Sequence, residues 1–258
     1  MQALNKNSDI FIYGHKPFIP LVTNNIYKVL TNTKENIPTS LPVYRDYEGD
    51  NIGDKNLMYN EYTGFYWLWK NYDIKNYIGL IGYRRYYSFY DDVPDFNKVF
   101  SKHSIVISDP LQLILNDKQV NNRDYYEFWH NVEDFDLLEQ MFHEQYPEYT
   151  KAFEKMKNSN YIYNSSMFVM RRDNFKDYCE YIFDVLDCYN DYMGLHSVEE
   201  YKDHVAKNQN KYIKPHLPYY NIDMQARIIG YIAERALMTW LIGENLEKKA
   251  KTYTWNTI

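Results

Sequence analysis

The sequence of 258 residues has few of the features that indicate a disulfide scaffold, a zinc site or a membrane span. Its two cysteines, Cys179 and Cys188, lie nine positions apart in one predicted helix and so face different directions, which argues against a bridge between them. No apolar run reaches the length of a membrane span, and residues 1–15 lack the apolar core of a signal peptide. We therefore expect a reduced, cytoplasmic protein.

The sequence also lacks an excess of positive charge and the short motifs of several enzyme classes. Its formal net charge at pH 7 is -6, whereas general nucleic-acid binding requires a basic surface, so we expect no nucleic-acid partner. The sequence contains no GxSxG, no P-loop and no GxGxxG pattern. These absences argue against an α/β hydrolase, a nucleoside triphosphatase and a dinucleotide-dependent dehydrogenase.

Apolar segments of two kinds alternate along the chain, and a hydrophobic fraction of 45% is enough to build a core from them. Short apolar runs predict strands at 9–15, 77–83, 104–109 and 161–172. Apolar residues at helical spacing predict helices at 59–71, 124–143, 147–157, 174–190 and 222–247, the fourth capped by Asp173. This alternation predicts an α/β fold of one domain, with a mixed sheet flanked by helices.

Two segments and the C-terminus have a different composition. Proline, glycine and polar residues predict irregular structure at 17–55, around one short segment IYKVL, and a loop or small insertion at 191–221. In the C-terminal tail, lysines precede aromatic residues, which suits contact with an anionic membrane surface at its cytoplasmic face; a frayed terminus is the alternative. The tail residues concerned are Lys248, Lys249, Lys251, Tyr253 and Trp255.

Two adjacent arginines, Arg84 and Arg85, follow the predicted strand at 77–83. Ligands of α/β proteins bind at the carboxyl ends of strands, and guanidinium groups donate paired hydrogen bonds to phosphate oxygens. The arginines therefore indicate a site for a phosphate-bearing ligand. The alternative is one arginine in a structural ion pair and one in solvent.

The sequence GDNIGDKN at 49–56 is a polar loop that offers Asp50, Asn51 and Lys55 to a ligand; a solvated turn is the alternative. It contains no DxD pattern. Elsewhere, Asp134 and Asp136 flank a phenylalanine inside a predicted helix, where they do not share a face. The spacing of acidic residues therefore does not require a metal ion.

Other charged residues have both a structural and a functional interpretation. Glu61 lies in the first turn of the predicted helix at 59–71, where a carboxylate also interacts favourably with the helix dipole. Arg227 and Glu234 lie on one face of the last predicted helix, either as part of an ion-pair ladder or directed at a ligand. His130 follows a tryptophan and is either a packed residue or a base, whereas His15 ends the first predicted strand, where ligands bind.

The order of these segments resembles a bacterial capsule and exopolysaccharide synthesis family known as domain of unknown function 4422, which is regarded as glycosyltransferase-like. The resemblance covers nearly the whole chain. It rests on HKP at 15–17, GDNIGDKN at 49–56, YNEYTGFYWLWKN at 59–71, YIGLIGYRRYY at 77–87, YPEY at 146–149, SMFVMRRDNFKDYCEYIFDVL at 166–186 and RIIGYIAERALMTWL at 227–241.

The resemblance implies a GT-A-like, Rossmann-related sheet and a glycosyltransferase that uses a UDP-sugar. The donor would bind in a half of about residues 1–115, and the acceptor in a helical half of about 116–258. The acceptor would be a lipid-linked or growing capsular or exopolysaccharide chain. Some members are associated with galactofuranose transfer, so galactofuranose or its N-acetyl form is one expectation for the sugar.

The sequence departs from the family pattern at two positions. The histidine that precedes YRRY in the family is Gly82 here, and the asparagine that precedes MF is Ser166. The YRRY sequence also stands where many GT-A enzymes carry a metal-binding DxD. We therefore expect guanidinium groups to take over part of the electrostatic work of the metal, although manganese or magnesium remains an alternative.

Under this interpretation the candidate residues fall into two groups. Those expected to hold the donor are His15, Lys16, Asp50, Asn51, Lys55, Arg84, Arg85, Arg227 and Glu234. Those expected to act in catalysis are Glu61, Asp134, Asp136 and His130, and the sequence does not choose a base among the carboxylates. A non-catalytic carbohydrate-binding partner of a capsule complex and a sugar-phosphate transferase are the alternative functions.

Overall fold

The computed structural model describes residues 6–257. Its strands are β1 Ser8–Gly14, β2 Tyr27–Thr31, β3 Val43–Arg45, β4 Tyr77–Gly82, β5 Arg85–Tyr87, β6 Ile105–Ser108, β7 Leu111–Gln112, β8 Ile114–Leu115, β9 Lys118–Gln119, β10 Tyr161–Ile162, β11 Phe168–Arg171, β12 Ala250–Tyr253 and β13 Trp255–Thr257. Its α-helices are α1 Asn56–Tyr59, α2 Tyr62–Asn71, α3 Phe96–Phe100, α4 Asn122–Trp129, α5 Val132–Gln145, α6 Thr150–Asn158, α7 Arg172–Met193, α8 Val198–Lys207, α9 Gln209–Tyr212, α10 Ile222–Gln225 and α11 Ile228–Gly243. Short 3-10 helices span Gly53–Lys55, Asn164–Ser166 and Glu247–Lys249.

A seven-stranded mixed sheet in the order β12-β6-β11-β4-β1-β2-β3 organises the chain. Every neighbouring pair is parallel except the two made by β11, which is antiparallel to both β4 and β6. Strands β1 and β4 lie side by side at the centre, and their carboxyl ends meet where Tyr13 pairs with Gly82. The sheet takes strands from both halves of the chain. The predicted mixed sheet flanked by helices is confirmed.

Apolar side chains cover both faces of this sheet. On one face, Phe11, Leu80 and Phe168 belong to the larger core cluster with the helices α2, α7 and α11. Phe65 of α2 stacks on Phe168 with 5.1 Å between ring centroids. On the other face, Ile12 packs in a smaller cluster with residues of β2, β5 and α3. Strands buried on both faces read as continuous apolar runs, which is why β1 and β4 were identifiable in the sequence.

Three predicted helices are interrupted in the structure. The helix predicted at 59–71 is the turn α1 followed by α2, because Asn60 between them has φ 54°. The helix predicted at 124–143 becomes α4 and α5, because the side chain of Asn131 accepts a hydrogen bond from the Glu133 amide and starts a new helix. The last predicted helix divides at Arg227 into α10 and α11. Apolar spacing continues across each break, so periodicity does not reveal it.

Two segments predicted to be irregular contain regular structure. The segment 17–55 includes β2, a fully buried strand of the main sheet. The segment 191–221 includes α8 and α9, and α8 begins with a capping box in which Ser197 and Glu200 satisfy each other's backbone amides. The predicted cap Asp173 is instead the second residue of α7, and the residue at the N-cap position is Arg171.

The C-terminal tail is part of the sheet structure. Strand β12 pairs in parallel with β6 at the edge of the main sheet, and β13 pairs with β5, the strand that begins at Arg85. Within residues 6–257, the expectation of a frayed terminus is therefore wrong, and membrane contact by the tail stays a prediction. No helix in this range has both the length and the apolar character needed to cross a bilayer.

Candidate active site

A cleft of about 1120 Å³ opens at the carboxyl ends of β1 and β4. This is the edge of a parallel sheet at which α/β proteins bind ligands, because the loops that follow the strands meet there. Seven of the candidate residues from the sequence line the cleft: His15, Lys16, Asn51, Glu61, Arg84, Arg85 and Arg227. The structure therefore brings together residues that lie more than two hundred positions apart.

One region of the cleft carries cations on the segments that follow the two central strands. Desolvation of the ring in the cleft, together with the nearby charges of Arg227, Lys16 and Arg84, lowers the pKa of His15 to about 4, although the residue is partly exposed. The guanidinium of Arg84 lies 5.2 Å from the ring centroid of Tyr83. His15 is therefore neutral at pH 7, and the positive charges that an anionic ligand can contact here are those of Lys16, Arg84 and Arg227.

Arg85 is half-buried and held by the C-terminal segment. Its guanidinium lies 5.4 Å from the ring centroid of Trp255, and its backbone pairs with Thr257 of β13. The aromatic face attracts the cation and restricts its rotamers. The tail thus fixes the position of one of the two arginines.

Glu61 lines a second region of the cleft, and the carboxylate of Glu234 lies near it but outside the lining. Burial and the nearby charge of Glu234 raise the pKa of Glu61 to about 7, and the cations Arg227 and Arg85 only partly oppose this rise. Glu234 accepts hydrogen bonds from the amide of Ser165, at 2.9 Å, and from Arg235, at 3.1 Å. Two neighbouring carboxylates with one pKa near neutrality form an arrangement typical of proton transfer.

Strained backbone surrounds these carboxylates. Asn60, Ser165 and Ser166 have φ of 54°, 73° and 48°, in the region that non-glycine residues rarely adopt. The side chain of Asn60 accepts a hydrogen bond from Arg227 Nε. This contact requires Gly230 on α11, since a Cβ there would lie 1.8 Å from Asn60 Nδ2. Packing from α11 therefore holds Asn60, and with it Glu61, in place.

The loop at 49–56 borders the cleft through only part of its sequence. Asn51 lines the cleft, and Gly53 is required because a Cβ there would lie 2.9 Å from Tyr47 Cβ. Asp50 is exposed, outside the cleft lining, and accepts a hydrogen bond from Tyr66 at 3.1 Å. Lys55 likewise lies outside the lining and interacts with Asp187.

A buried carboxylate beneath the cleft was missed by the sequence analysis. Asp46 is fully buried and accepts hydrogen bonds from Tyr13 at 2.8 Å, Thr63 at 2.6 Å and Asn32 at 2.7 Å. Asn32 also donates to the carbonyl of Gly53. The network ties the ends of β1 and β3 to the start of α2 and to the loop at 49–56. Its signal was weak, because Asp46 lies inside a segment predicted to be irregular.

The remaining candidates for catalysis lie outside the cleft lining. Asp134 is buried in α5, accepts a hydrogen bond from Tyr212 at 2.7 Å and has a pKa raised to about 7 by burial. Asp136 forms an ion pair with Arg123 on the surface. His130 is stacked on the ring of Tyr231 at 3.9 Å, and burial lowers its pKa to about 3. The structure does not bring these three residues together with Glu61.

In the described part of the chain, no cluster of three metal-ligating side chains lies next to the arginines. Among residues 6–257, one group of three metal-ligating side chains has its ligand atoms within 4.8 Å of one another, and it lies on α5 and α6. In that group, the Lys157 amine already contacts Glu139, and it lies 3.6 Å from Glu154. The residues that follow β4 are cationic, so the fit is to an anion.

The two positions that depart from the family pattern lie close together. Gly82 lies two residues after Leu80, which pairs with Phe168, and Ser166 lies two residues before Phe168 in a 3-10 helix that packs against β4. Ser166 is buried and hydrogen-bonded to Tyr62 at 2.7 Å, while Gly82 lines the cleft. Both departures therefore affect one part of the cleft.

Comparison with solved structures supports a glycosyltransferase fold. A structure described as the WbbM bifunctional glycosyltransferase in its apo form superposes on this chain with a TM-score of 0.73 and 25% sequence identity. The match covers 98% of this chain and 45% of the WbbM chain, so this chain spans less than half of that protein's length. No curated protein sequence matches the chain significantly. The similarity confirms the GT-A-like sheet.

The model of the family DUF4422, a domain of unknown function, matches residues 9–208. The matched range includes both regions of the cleft except Arg227 and Glu234, which follow it in the chain. The resemblance inferred from the ordered motifs is thereby confirmed. Most of the sheet and most of the cleft lie inside the matched range, and the chain belongs to the DUF4422 family.

Proposed function

We propose that this protein is a glycosyltransferase that moves a sugar from a UDP-sugar to a capsular or exopolysaccharide acceptor. The observation that carries the proposal is the meeting of two groups in one cleft: the cations that follow β1 and β4, and Glu61 at the start of α2, whose pKa is raised in part by the nearby charge of Glu234. Its similarity to a glycosyltransferase of known structure supports the same reaction class.

In this proposal the cations bind the diphosphate of the donor. Arg84 and Arg85 donate charge-assisted hydrogen bonds to its oxygens, and Lys16 and Arg227 add positive potential. As the bond between the anomeric carbon and the diphosphate oxygen breaks, negative charge develops on the leaving UDP. Cations already in place stabilise this charge more than that of the intact donor, so they accelerate the reaction.

Glu61 acts as the base in a single displacement. It takes the proton of the acceptor hydroxyl as the acceptor oxygen bonds to the anomeric carbon and UDP departs. Its pKa of about 7 leaves it partly ionised at neutral pH and basic enough to accept the proton. Glu234 raises this pKa and is itself held by the Ser165 amide and Arg235. Glu61 is preferred to Asp134 and Asp136 because it lines the cleft.

The donor diphosphate is held by guanidinium groups rather than by a metal ion. Full activity in excess EDTA is the expected result. Complete loss of activity in EDTA, restored by manganese, would contradict this part of the proposal and leave the transferase assignment intact.

The acceptor is a lipid-linked or growing polysaccharide, and a furanose such as galactofuranose or its N-acetyl form is one candidate for the transferred sugar. These assignments rest on the family. Lys248, Lys249 and Lys251 provide a peripheral contact with anionic lipid. Tyr253 and Trp255, in contrast, are half-buried against the smaller core cluster.

The test combines calorimetry with product analysis. UDP is titrated into the protein, and the protein is then incubated with UDP-sugars and a lipid-linked saccharide acceptor. Binding of UDP and its release on transfer are expected. Release of UMP or CMP would indicate a sugar-phosphate transferase, and binding of carbohydrate without any release would indicate a non-catalytic partner of a capsule complex.

A further inference from the structure

The glycines of this chain differ in whether the structure has room for a side chain at their position. All nine lie in the described residues. For seven of them a Cβ would approach another heavy atom within 3.0 Å, and Gly194 has φ 64°, which a side chain disfavours. Gly82 alone has neither property: a Cβ there would have no heavy atom within 4 Å. Neither packing nor backbone conformation requires a glycine at position 82.

A glycine in a strand without such a reason weakens the fold. Glycine destabilises a strand relative to alanine, because its backbone loses more freedom on folding and it buries no side chain. Gly82 is the last residue of β4, at the centre of the main sheet. The absence of a side chain at this position therefore indicates that the open space beside Gly82 serves a function.

That space lies in the cleft. Alternate residues of a strand point to the same face, so a side chain at position 82 would project to the same side as Leu80. Leu80 belongs to the larger core cluster, and both residues line the cleft. The missing side chain would thus fill part of the cleft immediately above its apolar floor.

The position of this space relative to the charged groups suggests its occupant. Gly82 precedes Arg84 by two residues, and it lines the same cleft as Ser165, whose amide binds Glu234. The open volume therefore lies between the arginines and the carboxylates. In a nucleotide sugar, the transferred sugar is bonded directly to the diphosphate, so it must occupy the space next to the diphosphate on the side of the base.

We propose that Gly82 forms the floor of the subsite for the transferred sugar and sets the size of the sugar that the cleft accepts. This inference rests on the proposed function, because it takes the cations as the diphosphate site. It assigns to Gly82 a role in specificity and none in proton transfer. UDP without a sugar would not reach the space.

The test compares UDP with UDP-sugars in graded variants. Wild type, Gly82→Ala and Gly82→Leu are titrated by calorimetry with UDP, UDP-galactose, UDP-galactofuranose and UDP-N-acetylglucosamine. The UDP-sugar that wild type binds most tightly is expected to lose affinity at least tenfold in Gly82→Leu and less in Gly82→Ala. The dissociation constant for UDP is expected to stay within twofold. Ser88→Leu, which adds the same side chain at an exposed position outside the cleft, is the control.

The following results would overturn the inference. Equal loss of affinity for UDP and UDP-sugar in Gly82→Leu, or no loss for either, would show that Gly82 does not form the sugar subsite. The proposed function would still stand if wild type bound UDP. If Gly82→Leu raised only the KM of the acceptor, the acceptor rather than the transferred sugar would occupy the space above Gly82. A melting temperature of Gly82→Ala several degrees below wild type would show that the fold requires this glycine; a value at or above wild type is expected. Failure of wild type to bind UDP would remove the proposed function and the inference together.

Discussion

The two charged regions of the cleft differ in how the fold holds them. The cationic region, formed by Lys16, Arg84 and Arg85 beside the neutral His15, lies on short segments that follow strands, and Lys16 and Arg84 are exposed. The carboxylate region, formed by Glu61 and Glu234, is half-buried and enclosed by strained backbone.

This difference matches two different tasks. Exposed cations on strand ends attract and bind an anionic ligand, and their interaction is weakened by salt. A half-buried carboxylate with a raised pKa is poorly suited to binding an anion and well suited to accepting a proton. If the assignment of tasks is right, changes in the two regions will separate binding from turnover.

The largest effect is expected from removal of the proposed base. Glu61→Gln should lower kcat by about 10²–10⁴-fold, because general base catalysis contributes about that factor, while UDP binds at least as tightly as to wild type. The measurements are UDP release on transfer and calorimetry with UDP. Glu133→Gln, which changes an exposed glutamate of α5, is the control. Loss of turnover in Asp134→Asn or Asp136→Asn but not in Glu61→Gln would reverse the assignment.

A smaller effect is expected from the cationic region, and it should appear in binding. Arg85→Ala should weaken UDP binding about 10–100-fold, because a hydrogen bond to a charged group contributes about 1.5–3 kcal/mol. The affinity of Arg85→Lys for UDP should lie between those of wild type and Arg85→Ala, since lysine keeps the charge and loses the paired hydrogen bonds. Arg172→Ala removes an exposed arginine beyond the opposite end of β4 and should leave the dissociation constant unchanged. If Arg85→Ala and Arg85→Lys both had the same dissociation constant for UDP as wild type, the diphosphate would have to bind elsewhere.

The pH dependence of activity should report the carboxylate region. The pKa of Glu61 is raised, so below about pH 7 it is protonated and cannot act as a base. The value of kcat/KM should therefore fall about tenfold per pH unit below pH 7 and level off above it. Glu61→Gln should lack this dependence. An acid limb centred near pH 4.5 would mean that a carboxylate with an ordinary pKa is the base.

The same raised pKa has a consequence for stability. The folded protein holds the Glu61 proton more tightly than the unfolded chain, so this group's contribution to stability is present below about pH 4.5 and is lost as pH rises through 7. Glu61→Gln should accordingly be more stable than wild type at pH 8 by about 1–2 kcal/mol, in chemical denaturation. A variant that is more stable and less active would show that Glu61 lowers the stability of the fold and is needed for the reaction.

The smallest effect is expected where the tail supports the cationic region. Trp255→Ala should weaken UDP binding about three- to fivefold, because a cation–π contact contributes about 0.5–1 kcal/mol. Trp69→Ala removes another half-buried tryptophan that contacts a cation, Lys70, on a helix outside the cleft, and serves as the matched control. Equal effects of the two variants on UDP binding would mean that Trp255 acts through general stability alone.

The central sheet could be predicted because its strands are buried on both faces. Strands β1, β4 and β6 appear as apolar runs that glycine or Asp-Pro terminates, and the arginines at the end of β4 are a local pattern. The breaks in the helices at Asn60 and Arg227 could not be predicted, because the contact of Asn60 with Gly230 and Arg227 joins residues about 170 positions apart. Asp46 was missed because its three hydrogen-bond donors come from separate segments.

The sequence by itself determined the α/β class, the family and the identity of the cations, because hydrophobic periodicity and ordered motifs are local properties of the chain. Only the tertiary structure decided which acid joins those cations. It placed Glu61 in the cleft lining with Glu234 near it, and it left Glu234, Asp134, Asp136 and His130 outside that lining. Burial and neighbouring charges set the pKa of an acid, and both depend on contacts between segments that are distant in the sequence.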